Sequence, residues 1–495
     1  MNSGLQPTQF DVLVLGAGPA GHKAAIQAAK VGRSVLLVDR QSAPGGECVH
    51  RGTIPSKSLR QRAVEHFARR SDGAALVSSV PIPELLGEVR QIITAHTTYM
   101  RDQLERNGVR VLHGQAEFTG PHELCVAAVG GGRSRVIADI IVIATGSIPR
   151  KPPDIPVDHE HILDSDSILS LAYLPASLIV LGGGVIACEY ASILSLLGVQ
   201  VTMIDRNVRP LTFMDHEVVD YFVAGFASRG GAFVGGAQPV SAQWDDVASV
   251  LVELSDGRQF AAEKVLCALG RMARIDGLHV ERAGLTVDAR GVLPVNEYGQ
   301  TAVSHIYAAG DAIGPPSLAS ASMEQGRRAS RHALGLDAHA DVQIVPSGIY
   351  AVPELASVGM TEEAAREQFA EVRIGRARFD EIARGQITGV KDGLLKLVAD
   401  GEGRLLGVHI VGEGATELVH IGQLAMLARA RVETFVDHVF NFPTMAEAYR
   451  VAALQIAVHG EVHRRAPAPE VTDVEPALLM AAGPTRAAPR PGAPH

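Results

Sequence analysis

Cysteine is scarce in this chain: four in 495 residues, at Cys48, Cys125, Cys188 and Cys267. So few thiols exclude a disulfide framework and point to a reducing compartment, the cytoplasm. Positive charge is short as well. The formal net charge is −9 and no basic run offsets it, which argues against nucleic acid as a partner. Nucleotide cofactors are still allowed, because backbone N–H groups and helix N-termini hold anions without net positive charge. There is no uninterrupted hydrophobic run of membrane length. The most apolar long stretch, Leu178 to Val199, contains Glu189 and three consecutive glycines, and reads as strand, loop and helix. The first ten residues have neither the basic nor the apolar segment of a signal peptide. What is present is the composition of an ordinary soluble protein, 46% hydrophobic and 20% charged, long enough for about three to four domains. The 51 glycines cluster in motif-like stretches, where they serve tight turns and close backbone approaches.

Asp11 to Leu15 is a short apolar run that reads as a buried parallel strand. It leads into Gly16-Ala17-Gly18-Pro19-Ala20-Gly21, then a helix of small residues to about Lys30, then a strand that ends at Asp39. This is the dinucleotide fingerprint in its required context. Gly16, Gly18 and Gly21 let the backbone approach a diphosphate, and Asp39 is placed for ribose hydroxyls. The pattern recurs 166 residues on: Gly182 aligns with Gly16, Gly184 with Gly18, Ala187 with Gly21 and Asp205 with Asp39. Two dinucleotide sites in one chain are hard to explain as one binding module.

Between and after these units lie Gly114 to Phe118, Ile140 to Ser147 (with Gly146), Ala268 to Arg271 (with Gly270), Ile306 to Ala312 (with Asp311) and Leu318 to Ala321 (with Ala319). From about Val345 the pattern changes to strands, over 350–359 and 393–411, followed by helices over 415–430 and from Met445 to about His459. Taken with the stretch Gly45-Gly46-Glu47-Cys48-Val49-His50-Arg51-Gly52-Thr53-Ile54-Pro55-Ser56-Lys57, the ordered set resembles the flavoprotein disulfide reductases, over roughly Asp11 to Val458. The fold implied is α/β: two Rossmann-like domains, for FAD (1–152 with 275–342) and for NAD(P) (153–274), plus a C-terminal α+β dimerisation domain (343–463). The Ala- and Pro-rich residues 464–495 read as a disordered tail.

The resemblance places Gly45, Gly46, Glu47 and Cys48, with Ala116, Gly146, Asp311 and Ala319, around FAD. It also implies a Lys57–Glu189 pair at the flavin N5 edge, where positive charge stabilises a reduced ring. Two features depart from the family. Its redox helix carries two cysteines five positions apart, and here Thr53 holds the second place after Cys48. Its general acid/base histidine precedes a Pro-Thr, and here Phe442 stands before Pro443-Thr444 while Glu447 keeps the place of that histidine's partner. Dithiol chemistry is therefore missing, and Cys48 reads as a small side chain beside the flavin.

What remains resembles the soluble, flavin-containing pyridine nucleotide transhydrogenases. That implies ping-pong transfer at one pocket: NADPH at Gly182 to Arg206 reduces the flavin and leaves, then NAD+ collects the hydride. Asp205 favours NAD, while Arg206, with Arg209 nearby, offers charge for a 2′-phosphate. FAD (one per subunit), NADPH/NADP and NADH/NAD, and a second copy of the chain are the expected partners, with no nucleic acid, membrane or metal. His459, Glu461 and His463 have metal-like spacing but read as a solvated helix end. Three rivals share the scaffold: an NAD(P)H:quinone reductase or diaphorase, a disulfide reductase drawing a thiol from elsewhere, and a non-catalytic flavin sensor.

Overall fold

The computed structural model describes residues 8–71, 82–338 and 344–465. The opening apolar run forms β1 (Thr8–Leu15), followed at once by α1 (Pro19–Lys30), and β2 (Val35–Asp39) lies parallel to β1. Pro19 suits the start of α1, since its missing N–H would have had no partner there. The small residues Ala20, Gly21, Ala24, Ala25 and Ala28 face inward. Three helices, α2 (Gly46–His50), α3 (Thr53–Ser71) and α4 (Ile82–Arg106), then precede β3 (Arg110–Phe118), β4 (Glu123–Ala128) and β5 (Arg133–Ile143). β3 pairs parallel with β2 at its start, β5 pairs parallel with β1 towards its end, and the rest of both strands forms an antiparallel meander with β4.

The chain leaves this sheet through β6 (Ser147–Pro149) and β7 (Ile162–Asp164). It then repeats the opening pattern as β8 (Ser177–Leu181), α5 (Val185–Leu196), β9 (Gln200–Ile204), α6 (His216–Ser228) and β10 (Ala232–Val234). An antiparallel excursion of β11 (Pro239–Trp244), β12 (Val250–Leu254) and β13 (Gln259–Ala262) leads to β14 (Lys264–Cys267), which completes a parallel sheet in the order β10-β9-β8-β14-β7. β15 (Arg271–Ala273) returns antiparallel to β6, so outgoing and incoming segments form one ribbon. β16 (Ile306–Ala308) re-enters the first sheet beside β5, and α7 (Ala319–Ala333) follows.

The remainder runs through β17 (Ser347–Ile349), β18 (Leu355–Gly359), α8 (Glu362–Gln368), β19 (Val372–Arg378), α9 (Ala383–Thr388), β20 (Leu394–Asp400) and β21 (Leu405–Val411). It ends in α10 (Ala415–Leu427), α11 (Glu433–Asp437) and α12 (Glu447–Arg465). The five strands form an antiparallel sheet in the order β17-β18-β21-β20-β19. Among the described residues no helix is long and apolar enough to cross a membrane.

Two elements differ from expectation. The stretch 45–57 is not one helix. It breaks at Arg51–Gly52, where the Gly52 N–H turns back to the Glu47 carbonyl at 2.6 Å. Pro55 in the first turn of α3 has no N–H to offer the preceding turn, so the interruption is built into the sequence. At the other end, α12 runs past His459 to Arg465, so residues 464 and 465 are helical rather than part of a tail. The disorder expected beyond them lies outside the described residues.

Candidate functional site

A cavity with about 1380 Å³ of empty space, its open mouth included, lies along the C-terminal ends of β1 and β2. Gly16, Gly18, Asp39, Gly46, Glu47, Cys48, Ala116, Gly146, Asp311 and Ala319 all line it, although they come from widely separated stretches of chain. The glycines make the room. A Cβ on Gly16 would stand 2.2 Å from the Ala144 carbonyl oxygen, and one on Gly46 would stand 2.9 Å from the Gly18 Cα. Gly21 lies behind the wall: a Cβ there would meet the Gly16 oxygen at 1.9 Å, so it sets the approach of α1 to β1. Gly45 is likewise off the wall, packed on Val49. The Asp39 carboxylate accepts the Ala17 and Gln41 N–H groups at 2.6 and 2.7 Å, and Ser147 donates to Asp311 at 2.6 Å.

Three buried polar atoms of cavity-lining residues have no hydrogen-bond partner among the described residues: Glu47 Oε2, Thr145 Oγ1 and Arg274 Nε. Buried polar groups in folded proteins are rarely left unpaired without reason. A polar dinucleotide in this glycine-lined cleft would satisfy them, so the residues present fit FAD.

At the edge of the cavity, Cys48 and Thr53 flank the helix break. Burial pushes the Cys48 thiol up, more than the nearby Thr53 hydroxyl and the Lys57 charge lower it. A nucleophilic thiolate is thereby disfavoured. One turn along α3, Lys57 Nζ sits 2.7 Å from both carboxylate oxygens of Glu189 on α5. Glu189 is buried and also accepts the Tyr350 N–H at 2.9 Å, so this pair joins the first unit, the second unit and the C-terminal segment.

The second glycine loop repeats the first in backbone but not in enclosure. Gly182 has φ +117°, and a Cβ there would lie 2.5 Å from the Ala268 oxygen. Gly184 is exposed, and Ala187 is buried where the first loop has Gly21. The Asp205 carboxylate packs beneath Gly183 and accepts both the backbone N–H and the side-chain amide of Asn207 at 2.7 Å. Arg206 is exposed with no hydrogen bond or ion pair among the described residues. Arg209 is held by Asp220 at 2.7 and 3.1 Å. None of these residues, nor Gly270, lines the large cavity.

Phe442 stands 69% exposed on the C-terminal unit. Glu447 folds back to the Thr444 N–H at 3.4 Å and takes no part in the cavity of its own chain. Residues that the sequence did not single out as ligands complete the wall. Arg271 donates to the Ser147 hydroxyl and carbonyl at 2.8 and 2.9 Å and reaches Ser165 in the second unit at 2.9 Å. Arg274 pairs with Glu47 at 3.3 Å. Both arginines lie on or just after β15, where the local pattern marks only a return strand. Among the described residues no group of three or more His, Cys, Asp or Glu is arranged to hold a metal.

The family described as "Pyridine nucleotide-disulphide oxidoreductase" matches residues 10–326, and its dimerisation domain matches residues 345–453. The chain is 42% identical over 456 residues to a "Soluble pyridine nucleotide transhydrogenase" of Mycobacterium tuberculosis, covering 90% of this chain and 97% of that one. It is 40% identical over 459 residues to one of the same description from Yersinia enterocolitica, covering 91% and 98%. Among solved structures it is similar to LpdA of Mycobacterium tuberculosis, with 28% identity, a TM-score of 0.84 and coverage of 90% and 99%. The HOCl-induced flavoprotein disulfide reductase RclA of Escherichia coli follows, with 26% identity, a TM-score of 0.82 and coverage of 90% and 100%. The chain belongs to the pyridine nucleotide-disulphide oxidoreductase family.

Proposed function

We propose that this protein is a FAD-dependent NAD(P)+ transhydrogenase of the cytoplasm, acting as a homodimer or larger homo-oligomer. The observation that carries the reading is Thr53: it lines the same cavity as Cys48, five positions on, where a dithiol enzyme of this family carries its second cysteine. With Phe442 before Pro443, the acid/base group for thiol chemistry is absent from its usual place too. The relatives at 40–42% identity support the same reading.

In this reading Gly16, Gly18, Asp39, Gly46, Glu47, Cys48, Ala116, Gly146, Asp311 and Ala319 hold FAD, with Gly21 and Gly45 shaping the loops around it. Bound flavin supplies hydride acceptance from one nicotinamide and hydride return to another. Lys57 brings a fixed positive charge to the edge of the site, and Glu189 holds that ammonium in place. In a water-poor setting such a charge acts more strongly than in bulk solvent. Gly182, Gly184 and Ala187 receive the diphosphate of NADPH or NAD+ in turn, beside Gly270. Asp205 keeps one carboxylate oxygen for a ribose hydroxyl, and Arg206 faces solvent as the cation for a 2′-phosphate. Glu447 belongs to the surface through which a second copy completes the site. The divisions at 152/153 and 274/275 are supported by the β6–β15 ribbon, and that at 342/343 by the start of the C-terminal sheet.

Anaerobic stopped-flow spectroscopy tests the proposal. NADPH should bleach the flavin, and NAD+ added next should restore it while NADH forms. Faster reoxidation by a quinone than by NAD+, or brisk turnover of a disulfide, would sink it.

A further inference from the structure

We infer that Arg274 is a cofactor-holding residue, its free Nε–H donating to the diphosphate of the FAD that the first cavity takes while Glu47 orients the guanidinium. This rests on the reading that the cavity holds FAD. The backbone of Arg274 is anchored to the cavity wall, its N–H donating to the Gly146 carbonyl at 2.8 Å. From there the side chain, 17% exposed, reaches Glu47 at 3.3 Å through Nη2. Nε remains buried, with no hydrogen-bond partner among the described residues. A charged donor left bare in the interior costs more than a neutral one, so the native fold keeps it for an occupant.

Charge identifies the part of the occupant. Burial, with the neighbouring Arg40 on the same wall, pushes the Arg274 guanidinium below its ordinary value. Glu47 and Asp166 offset these cations only in part, and a buried guanidinium N–H pairs best with an anionic acceptor. Adenine, the ribityl chain and the isoalloxazine are neutral in FAD, which leaves the diphosphate. Location agrees with this. Glu47 follows Gly46, whose backbone meets that of Gly18 at the first turn of α1, where open N–H groups favour phosphate.

A plainer role would have Arg274 merely prop Glu47, and the test separates the two. Holoenzymes carrying Arg274→Met, Arg274→Lys and Glu47→Gln are compared for the rate of flavin release, followed as the rise of free-flavin fluorescence at one temperature and chaotrope concentration. Direct grip predicts release about tenfold faster or more in Arg274→Met, an intermediate rate in Arg274→Lys, and a smaller acceleration than either in Glu47→Gln, which loosens the guanidinium but leaves its charge and Nε–H beside the anion. Wild-type release in Arg274→Met, or equal acceleration in Arg274→Met and Glu47→Gln, overturns the inference. If Arg274→Met does not fold, Arg274→Lys must still release flavin faster than Glu47→Gln, and equal rates overturn it. A wild-type chain that binds no flavin overturns the proposed function itself, and this inference with it.

Discussion

Lys57 and Glu189 show how one residue's charge depends on another's burial. Glu189 is 3% exposed and its closest cation is the Lys57 ammonium. Lys57→Met strands that carboxylate, a change that costs about 3–5 kcal/mol in buried pairs. It should lower the thermal midpoint and slow transhydrogenation even in the molecules that stay folded, while Glu189→Gln should be milder on both counts; equal midpoints for Lys57→Met and wild type would refute the pairing argument. Cys48 makes the opposite case. Its thiol is pushed up by burial, so iodoacetamide should label it slowly at pH 8, and Cys48→Ser should keep transhydrogenation close to wild type. Rapid labelling with loss of activity would return sulfur to the mechanism. Lys57, Glu189 and Cys48 were legible in the sequence because each sits inside a recognisable motif. Arg274 was not: its meaning comes from Glu47, 227 positions earlier, and no local pattern carries that.

Among the elements, the two strand–loop–helix units invite a paired experiment. A methyl on Gly21 would stand 1.9 Å from the Gly16 oxygen, and backbone cannot yield there without lifting α1 from β1. Gly21→Ala should therefore purify with little flavin, judged by the absorbance ratio of flavin to protein. Ala187 already carries that methyl at the matching place, so Ala187→Gly should keep flavin and change nicotinamide binding only modestly. Retention of full flavin by Gly21→Ala would mean that the first loop is looser than its contacts imply. The strands and helices of both units could be read from the sequence because buried parallel strands are continuous apolar runs bounded by glycine. The break between α2 and α3 was missed, since a residue pattern alone does not show that Gly52 closes a turn onto Glu47.

At the scale of the whole molecule, Lys396 joins the second unit to the C-terminal sheet. It is 1% exposed and reaches Asp215 at 2.9 Å, Glu217 at 3.0 Å and Glu362 at 2.7 Å. Burial alone would raise the Asp215 carboxyl, but the His409 ring and the Lys396 ammonium bring it below the ordinary range. Burial likewise depresses His409. Groups with folded values below their unfolded ones stabilise at high pH, and that contribution disappears as pH falls. The thermal midpoint should therefore drop first below about pH 6.5 as His409 must charge, and again below about pH 4. Lys396→Met should lower the midpoint at neutral pH and flatten the acid limb, and an unchanged pH profile would refute this. On the outer face, Val439 and Phe442 are 93% and 69% exposed, as an oligomer interface requires. Val439→Asp should yield monomers in sedimentation, with loss of turnover. The dimerisation unit was legible as a change of pattern near Val345, but which side chains it offers a second copy depended on how α11 and α12 turn.

One apolar cluster runs from Leu59 and Leu85 through α5 and α6 to Ile349, Leu394 and Val411, so side chains of all three units meet in a shared apolar seam beside their own cores. Nucleotides must then come and go without the units swinging apart. Heated slowly, the molecule should melt in one step.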